Sequence, residues 1–276
     1  DEVIIPAPYW LSYPQMVRLA GGKPIFLNSS AEDGFKINIQ DLKSKISPKT
    51  KFIIINSPNN PTGRVMPKEE LLQIAELVRE NKNINILSDE IYELILKKEF
   101  KHLSLASLAT DLKERIFIIN GFAKGWAMTG WRVGYLVGQK DVIKASSALQ
   151  SQSTSNVCSF VQRGALEALK VNREFFLEIN SHYDLRREVL YKGLKNIGGL
   201  FIYPPNGAFY AFPRLPNNSM TSVEFCKKIL NDYGLVVVPG KPFGDDQCIR
   251  ISCASSKEKI LDGLTRLEKG ILNYYF

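Results

Sequence analysis

The chain has 276 residues, 45% apolar and 23% charged, an ordinary globular composition long enough to bury one or two cores. Its 36 Lys+Arg against 28 Asp+Glu leave a net charge of +8, but the charges are scattered and the densest cluster, LKKEFKH (96–102), is mixed in sign. Neither nucleic acid nor a membrane is therefore expected as a partner, while a site for a small anion, which needs two or three placed cations, stays open.

Four cysteines without a CxxC pair read as reduced thiols in a cytosol, and two distant histidines give little material for a metal site or a Ser–His–Asp triad. No apolar run approaches the roughly 20 residues that span a bilayer. In chain order, DEVIIPAPYW (1–10) reads as a strand already in progress, with no initiating Met, so the chain is expected to begin inside a fold. KFIIIN (51–56) is a continuous β-rich run broken by SPNNPTG (57–63). PKEELLQIAELVREN (67–81) is helical, with Pro67 and acids in its first turn. NINIL (83–87) is strand-like and ends at SDE; RIFIIN (115–120) and RVGYLVG (132–138) flank a loop around Lys124. Apolar runs that do not alternate, separated by helices, predict a buried, mostly parallel sheet with helices on both faces: an α/β domain over residues 1–180.

After about residue 140 three helical stretches follow, the last over 173–197. LFIY, AFYAF, LVVV and CIRISC read as strands, and TSVE (221–224) and SSKE (255–258) as capping patterns that open helices. These predict a smaller C-terminal α+β domain over residues 181–276, docked by the long helix.

Asp89 ends a strand-like run and reads either as the N-cap of a helix over EIYELIL or as a ligand at a strand's carboxyl end, where open α/β sheets bind. Asn60 is a turn residue or a ligand; Lys124 is a solvated loop lysine or a catalytic amine. Parallel strands carry their carboxyl ends to one edge, so Asn60, Asp89 and Lys124 can converge, with Tyr92 beside Asp89. A carboxylate, an amide, a phenol, an amine and an arginine around one crevice suit an aromatic, phosphorylated cofactor that carries an aldehyde. In CIRISC, Arg250 shares a face with Cys248 and Ser252, a pattern that fits a solvated edge arginine as well as a ligand.

PAPYW, NSPNNPTG, SDEIYE, KGWAMTGWRVGY and RISCASS stand in the order and context of the class I aminotransferases, and the sequence resembles their bacterial aspartate aminotransferase branch, some members of which also transaminate prephenate. The resemblance implies fold-type I, pyridoxal 5′-phosphate as cofactor, amino-acid and 2-oxo-acid substrates, no metal, and a cytoplasmic enzyme that is a homodimer in its full-length form. Its reaction would move an amino group from aspartate or a related dicarboxylic or aromatic-precursor amino acid to 2-oxoglutarate, by a ping-pong mechanism.

The resemblance also implies a role for each candidate. Lys124 would hold the cofactor as a Schiff base and shuttle the proton, for which its amine, ordinarily near pKa 10.4, must be made more acidic. Asp89 would pair with the ring nitrogen, Tyr92 and Asn60 with the ring's phenolic oxygen, and Trp10 would stack on the ring. Arg132 would anchor the phosphate, and Arg250 the substrate α-carboxylate, with Trp10 and Asn60 also touching substrate. Trp126 and Trp131 are read as core residues. Asn60–Pro61 is expected to be cis. Other fold-type I reactions, such as a lyase or synthase, would use the same motifs, and a truncated, inactive remnant would also retain them.

Two departures stand out. The portion that precedes DEVIIP in the family is expected to be missing, and with it a phosphate-binding loop, a tyrosine crossing the dimer interface, the residue that reads a distal carboxylate, and part of the sheet; apolar faces and unpaired edges would then be exposed. The serine expected before the lysine is Ala123. A hydrogen bond to a charged group contributes about 1.5–3 kcal/mol. Ala123→Ser is therefore expected to tighten pyridoxal phosphate binding by about one to two powers of ten. A binding titration that gives equal affinities for the two chains would refute this.

Overall fold

The computed structural model describes residues 1–216 and 220–276. Six strands form the main sheet: β1 (Glu2–Pro6), β2 (Lys23–Leu27), β3 (Thr50–Asn56), β4 (Asn85–Asp89), β5 (Ile116–Gly121) and β6 (Gly134–Val137), in the order β2-β1-β3-β4-β5-β6. All neighbours are parallel except β5 and β6, which are antiparallel. Four helices accompany it: α1 (Tyr13–Leu19), α2 (Ile39–Ser44), α3 (Lys68–Glu80) and the single turn α4 (Leu105–Leu108).

The runs of isoleucine have a direct cause. Successive strand side chains point to opposite faces, and here both faces are covered. Ile53, Ile55 and Ile86 join Leu42 of α2, Leu71, Ile74 and Val78 of α3 and Leu105 of α4 in one core. Ile54 and Ile5 point the other way and pack with Tyr13 and Val17 of α1.

Three helices follow β6: α5 (Lys140–Ser151), α6 (Ser159–Ala168) and α7 (Arg173–Asn196). The C-terminal part contains β7 (Tyr210–Ala211), α8 (Ser222–Tyr233), β8 (Val238–Pro239), β9 (Ile249–Ser252) and α9 (Lys257–Tyr275). Its sheet is antiparallel in the order β7-β9-β8. Leu190 and Leu194 of α7, Phe225 and Ile229 of α8, Ile249, and Leu264 and Leu267 of α9 form its core. Among the described residues no helix is long and apolar enough to cross a membrane.

Local chemistry decides several details differently from the sequence reading. No helix forms over EIYELIL: the chain turns after Asp89, with Glu93 N donating to Glu90 O (2.8 Å) and Ile95 N to Tyr92 O (2.9 Å). Tyr92 and Ile95 are buried with Ala208 and Tyr210, and the turn delivers both into that cluster. The TSVE capping box forms at α8 as expected, but α9 is capped by Ser256, one residue past the first serine of SSKE, through a bond from Lys259 N (3.4 Å). LFIY and AFYAF contribute only an isolated bridge at Phe201 and the two residues of β7. LVVV contributes only Val238, since Val236 is 76% exposed. Trp131, expected in the core, is 44% exposed on a short turn, one ring edge against Gly164 of α6. Large apolar side chains stand out of β6, α5 and α6, Val137, Leu149, Phe160 and Leu166 among them.

One buried ion pair fixes the loop after β3. Arg64 Nη1 donates to Glu70 Oε1 (3.0 Å), its Nη2 pairs with Oε2, and Ile37 N donates to Oε1 (3.1 Å). The two side chains are only 9% and 1% exposed. Glu70→Ala would leave the guanidinium buried and unpaired, and is expected to cost about 3–5 kcal/mol in a urea unfolding experiment. Replacing both partners with apolar residues should recover most of that loss.

Candidate active site

The site grows from the ends of β3, β4 and β5. Asn56 closes β3 opposite Asp89, the last residue of β4. Its Nδ2 donates to the Asp89 carbonyl (3.0 Å), and its Oδ1 accepts from Asn60 N (2.9 Å). The loop between turns on Asn59, whose Oδ1 accepts from Thr62 N (3.0 Å) and Thr62 Oγ1 (2.7 Å). The Asn60–Pro61 peptide is cis, as expected; Ala7–Pro8 and Ser57–Pro58 are cis as well. Gly63 ends the loop at φ 70°, and a Cβ there would come within 2.6 Å of Pro205 and 2.7 Å of the Tyr210 carbonyl. Only glycine allows this approach, and its carbonyl accepts from Asn206 N (2.9 Å) and Gly207 N (2.8 Å), which ties the loop to the C-terminal part.

Asp89 is 7% exposed. Tyr13 Oη, from the first turn of α1, donates to its Oδ2 at 2.5 Å, and Ile91 N to its Oδ1 at 3.2 Å. Glu90, next in the chain, has its carboxylate satisfied elsewhere, by Ser88 Oγ (2.9 Å), Ser104 Oγ (2.8 Å) and His102 Nε2 (2.9 Å). Tyr92 lies with its hydroxyl 2.9 Å from that of Tyr210. Lys124 follows β5 by three residues, and its Nζ sits 5.7 Å from the Tyr92 ring centre and 5.6 Å from that of Phe209. Burial, then the charges of Arg132 and Arg250, push its pKa down.

Arg250 reaches across from β9. Its Nη1 donates to Asn60 Oδ1 (3.0 Å), and the guanidinium lies between the rings of Tyr210 (4.6 Å) and Phe243 (4.9 Å). Its Nε is buried with no hydrogen-bond partner. Arg132, in the left-handed conformation (φ 54°), is exposed at the rim, and its Nη1 donates to Thr129 O (2.8 Å). Half-buried Trp10 packs edge-on against Tyr13, centroids 5.4 Å apart.

All seven residues expected from the sequence, Trp10, Asn60, Asp89, Tyr92, Lys124, Arg132 and Arg250, line one cleft of about 1140 Å³ that is open to solvent, and Ala123 lines it too. Tyr13, Asn56 and Tyr210 line it without having been singled out. Tyr13 lies three residues after Trp10, and the turn between them, closed by Tyr13 N donating to Trp10 O (3.0 Å), sets the two side by side. Tyr210 carried no signal, because AFYAF is equally a core strand. Trp126, read as a core residue, is half-buried and donates its indole N–H to Ala168 O (3.0 Å).

Burial raises the Asp89 pKa, and the hydrogen bonds from Tyr13 and Ile91 oppose that rise. An acid with a raised folded pKa binds more protons folded than unfolded. Its contribution to stability is full below the unfolded value of about 3.9 and is lost as pH rises through the folded value. Tyr13→Phe raises the carboxyl further. In the cofactor-free chain it is expected to cost about 1–3 kcal/mol at pH 7 and less near pH 4. Urea unfolding at both pH values tests this; equal losses would contradict it.

Residues 1–267 match the family described as aminotransferase class I and II. A Rickettsia felis protein named "Probable aspartate/prephenate aminotransferase" is 42% identical over 279 residues, covering 98% of this chain and 68% of the relative. The aspartate aminotransferase of Bacillus subtilis is 42% identical over 274 residues, covering 98% and 70%. The crystal structure of the Rhizobium meliloti aspartate aminotransferase superposes with a TM-score of 0.93 at 34% identity, covering 98% of this chain and 70% of that one. The chain thus spans about 70% of the length of these relatives. Sequence, fold and strand-end cleft agree: the chain belongs to the class I and II aminotransferases.

Proposed function

We propose that this aminotransferase binds pyridoxal 5′-phosphate in the cleft and moves the amino group of aspartate, or of a related dicarboxylic or aromatic-precursor amino acid, to 2-oxoglutarate by a ping-pong reaction. The observation that carries the proposal is the convergence of a buried acid, Asp89, and an amine with a lowered pKa, Lys124, in one cleft with two arginines. The donor set fits the cofactor: a carboxylate for a ring nitrogen, an amide and a phenol for a ring oxygen, a half-buried indole for a ring face, and a guanidinium fork for a phosphate. The Arg250 Nε without a partner fits a further anion arriving in the cleft. Names of relatives support aspartate as donor.

When bound, pyridoxal phosphate supplies an electrophilic carbon and a conjugated ring that accepts the electron pair released at the substrate Cα. The chain's own groups do the rest. Lys124 Nζ, whose pKa is lowered by burial and by the charges of Arg132 and Arg250, gives up its proton more readily than an ordinary lysine and would take and return the proton at the substrate Cα. Asp89 would hold positive charge on the ring nitrogen, and that charge would offset the cost of burying its carboxylate. Asn60 and Tyr92 would donate toward the ring oxygen, Trp10 would cover the ring, and Arg132 would anchor the phosphate. Arg250, oriented by Asn60 Oδ1, grips the α-carboxylate and sets the Cα–H bond toward Lys124. The reading extends to a cytoplasmic, homodimeric enzyme, supported by four free cysteines and by the apolar side chains exposed on α5 and α6.

The chain mixed with pyridoxal phosphate should develop a visible absorbance band that borohydride bleaches while fixing the cofactor to Lys124. Lys124→Ala should show no such band and lose about 10²–10⁴-fold or more in kcat. Without an acceptor 2-oxo acid, aspartate should yield no more than one product per loaded site, and repeated turnover should need the acceptor. Turnover without an acceptor would favour a lyase and overturn the proposal.

A further inference from the structure

We infer that Tyr210 is a positioning residue that links the grip on the substrate carboxylate to the proton held at Lys124, acting through Arg250 on one side and Tyr92 on the other. The inference rests on the function proposed above.

Tyr210 belongs to the small sheet. β7 pairs with β9 so that Tyr210 faces Ser252, which puts it diagonal to Arg250 two residues away. Its ring lies under the guanidinium, 4.6 Å from the centroid, and Phe243 takes the other side. Its hydroxyl reaches the main sheet's edge, 2.9 Å from that of Tyr92. One side chain, 7% exposed, therefore touches both halves of the site.

Its backbone has no room to drift. The Tyr210 carbonyl is pressed against Gly63, and Ala208 N donates to Ile95 O (2.9 Å). Buried Arg187 donates through Nη2 to Ala208 O (2.9 Å).

The two hydroxyls have two hydrogens between them. When Tyr92 donates its hydrogen to an acceptor in the cleft, only Tyr210 can supply the bond between the phenols. A hydroxyl that accepts one hydrogen bond donates a stronger one. Tyr210 thus strengthens the donation by which Tyr92 draws negative charge off the acceptor near the Lys124 nitrogen. Without it more negative charge remains there, and the nitrogen keeps its proton to higher pH. The ring face does separate work: it holds the guanidinium in a plane suited to a carboxylate.

The test uses the chain loaded with pyridoxal phosphate and reads the pH midpoint of the visible band of the Lys124-bound cofactor, beside the KM for the amino donor. Tyr210→Phe keeps the ring and removes the hydroxyl, so the midpoint should rise by roughly 0.5 unit while KM stays within about twofold. In a Tyr92→Phe background the same change should move the midpoint no further. Tyr210→Leu should show the same rise together with a KM increase of about tenfold. An unmoved midpoint in Tyr210→Phe, or an equal shift in the Tyr92→Phe background, overturns the inference and leaves the proposed function standing. No visible band in the unmodified chain overturns both.

Discussion

The pairing of β3 with β4 places Asn56 opposite Asp89, and the chemistry of the cleft hangs on that register. A parallel sheet buried on both faces cannot slide by one residue without turning every isoleucine to the wrong core, so the apolar packing also locks the polar ends. Asn56 converts this register into site geometry. It binds the Asp89 carbonyl with one end of its amide and the Asn60 backbone with the other. The acid and the loop that faces it are spaced by a single buried side chain.

Electrostatics follow from the same placement. Asp89 lies deep enough for burial to raise its pKa, and a tyrosine hydroxyl partly offsets that cost. Lys124 lies near two arginines and against aromatic rings, so its cationic form is disfavoured. Buried titratable groups with perturbed proton affinities cluster at functional sites, and these two share one cleft.

The cleft is also a joint. Gly63 accepts from residues 206 and 207, Arg250 from the small sheet donates to Asn60, and Tyr210 meets Tyr92. Each of these contacts involves a group that lines the site or the loop that carries it. The walls of the cleft therefore come from both sheets, and the rings of Tyr210 and Phe243 flank Arg250 there.

Much of this was legible in the sequence. Unbroken isoleucine runs, turn residues after them and acids at a helix start are local signals, and they marked β3, β4, β5 and α3 along with the strand-end positions of Asn60, Asp89 and Lys124. Five motifs in register pointed to Trp10, Tyr92, Arg132 and Arg250, which line the same cleft. Packing decided the rest. Tyr13 and Asp89 are 76 residues apart, Tyr92 and Tyr210 are 118 apart, and Asn60 and Arg250 are 190 apart, so no local pattern records their hydrogen bonds. The turn in place of a helix after Asp89 and the exposure of Trp131 have the same origin: which face of a short segment is buried depends on what the distant chain brings against it.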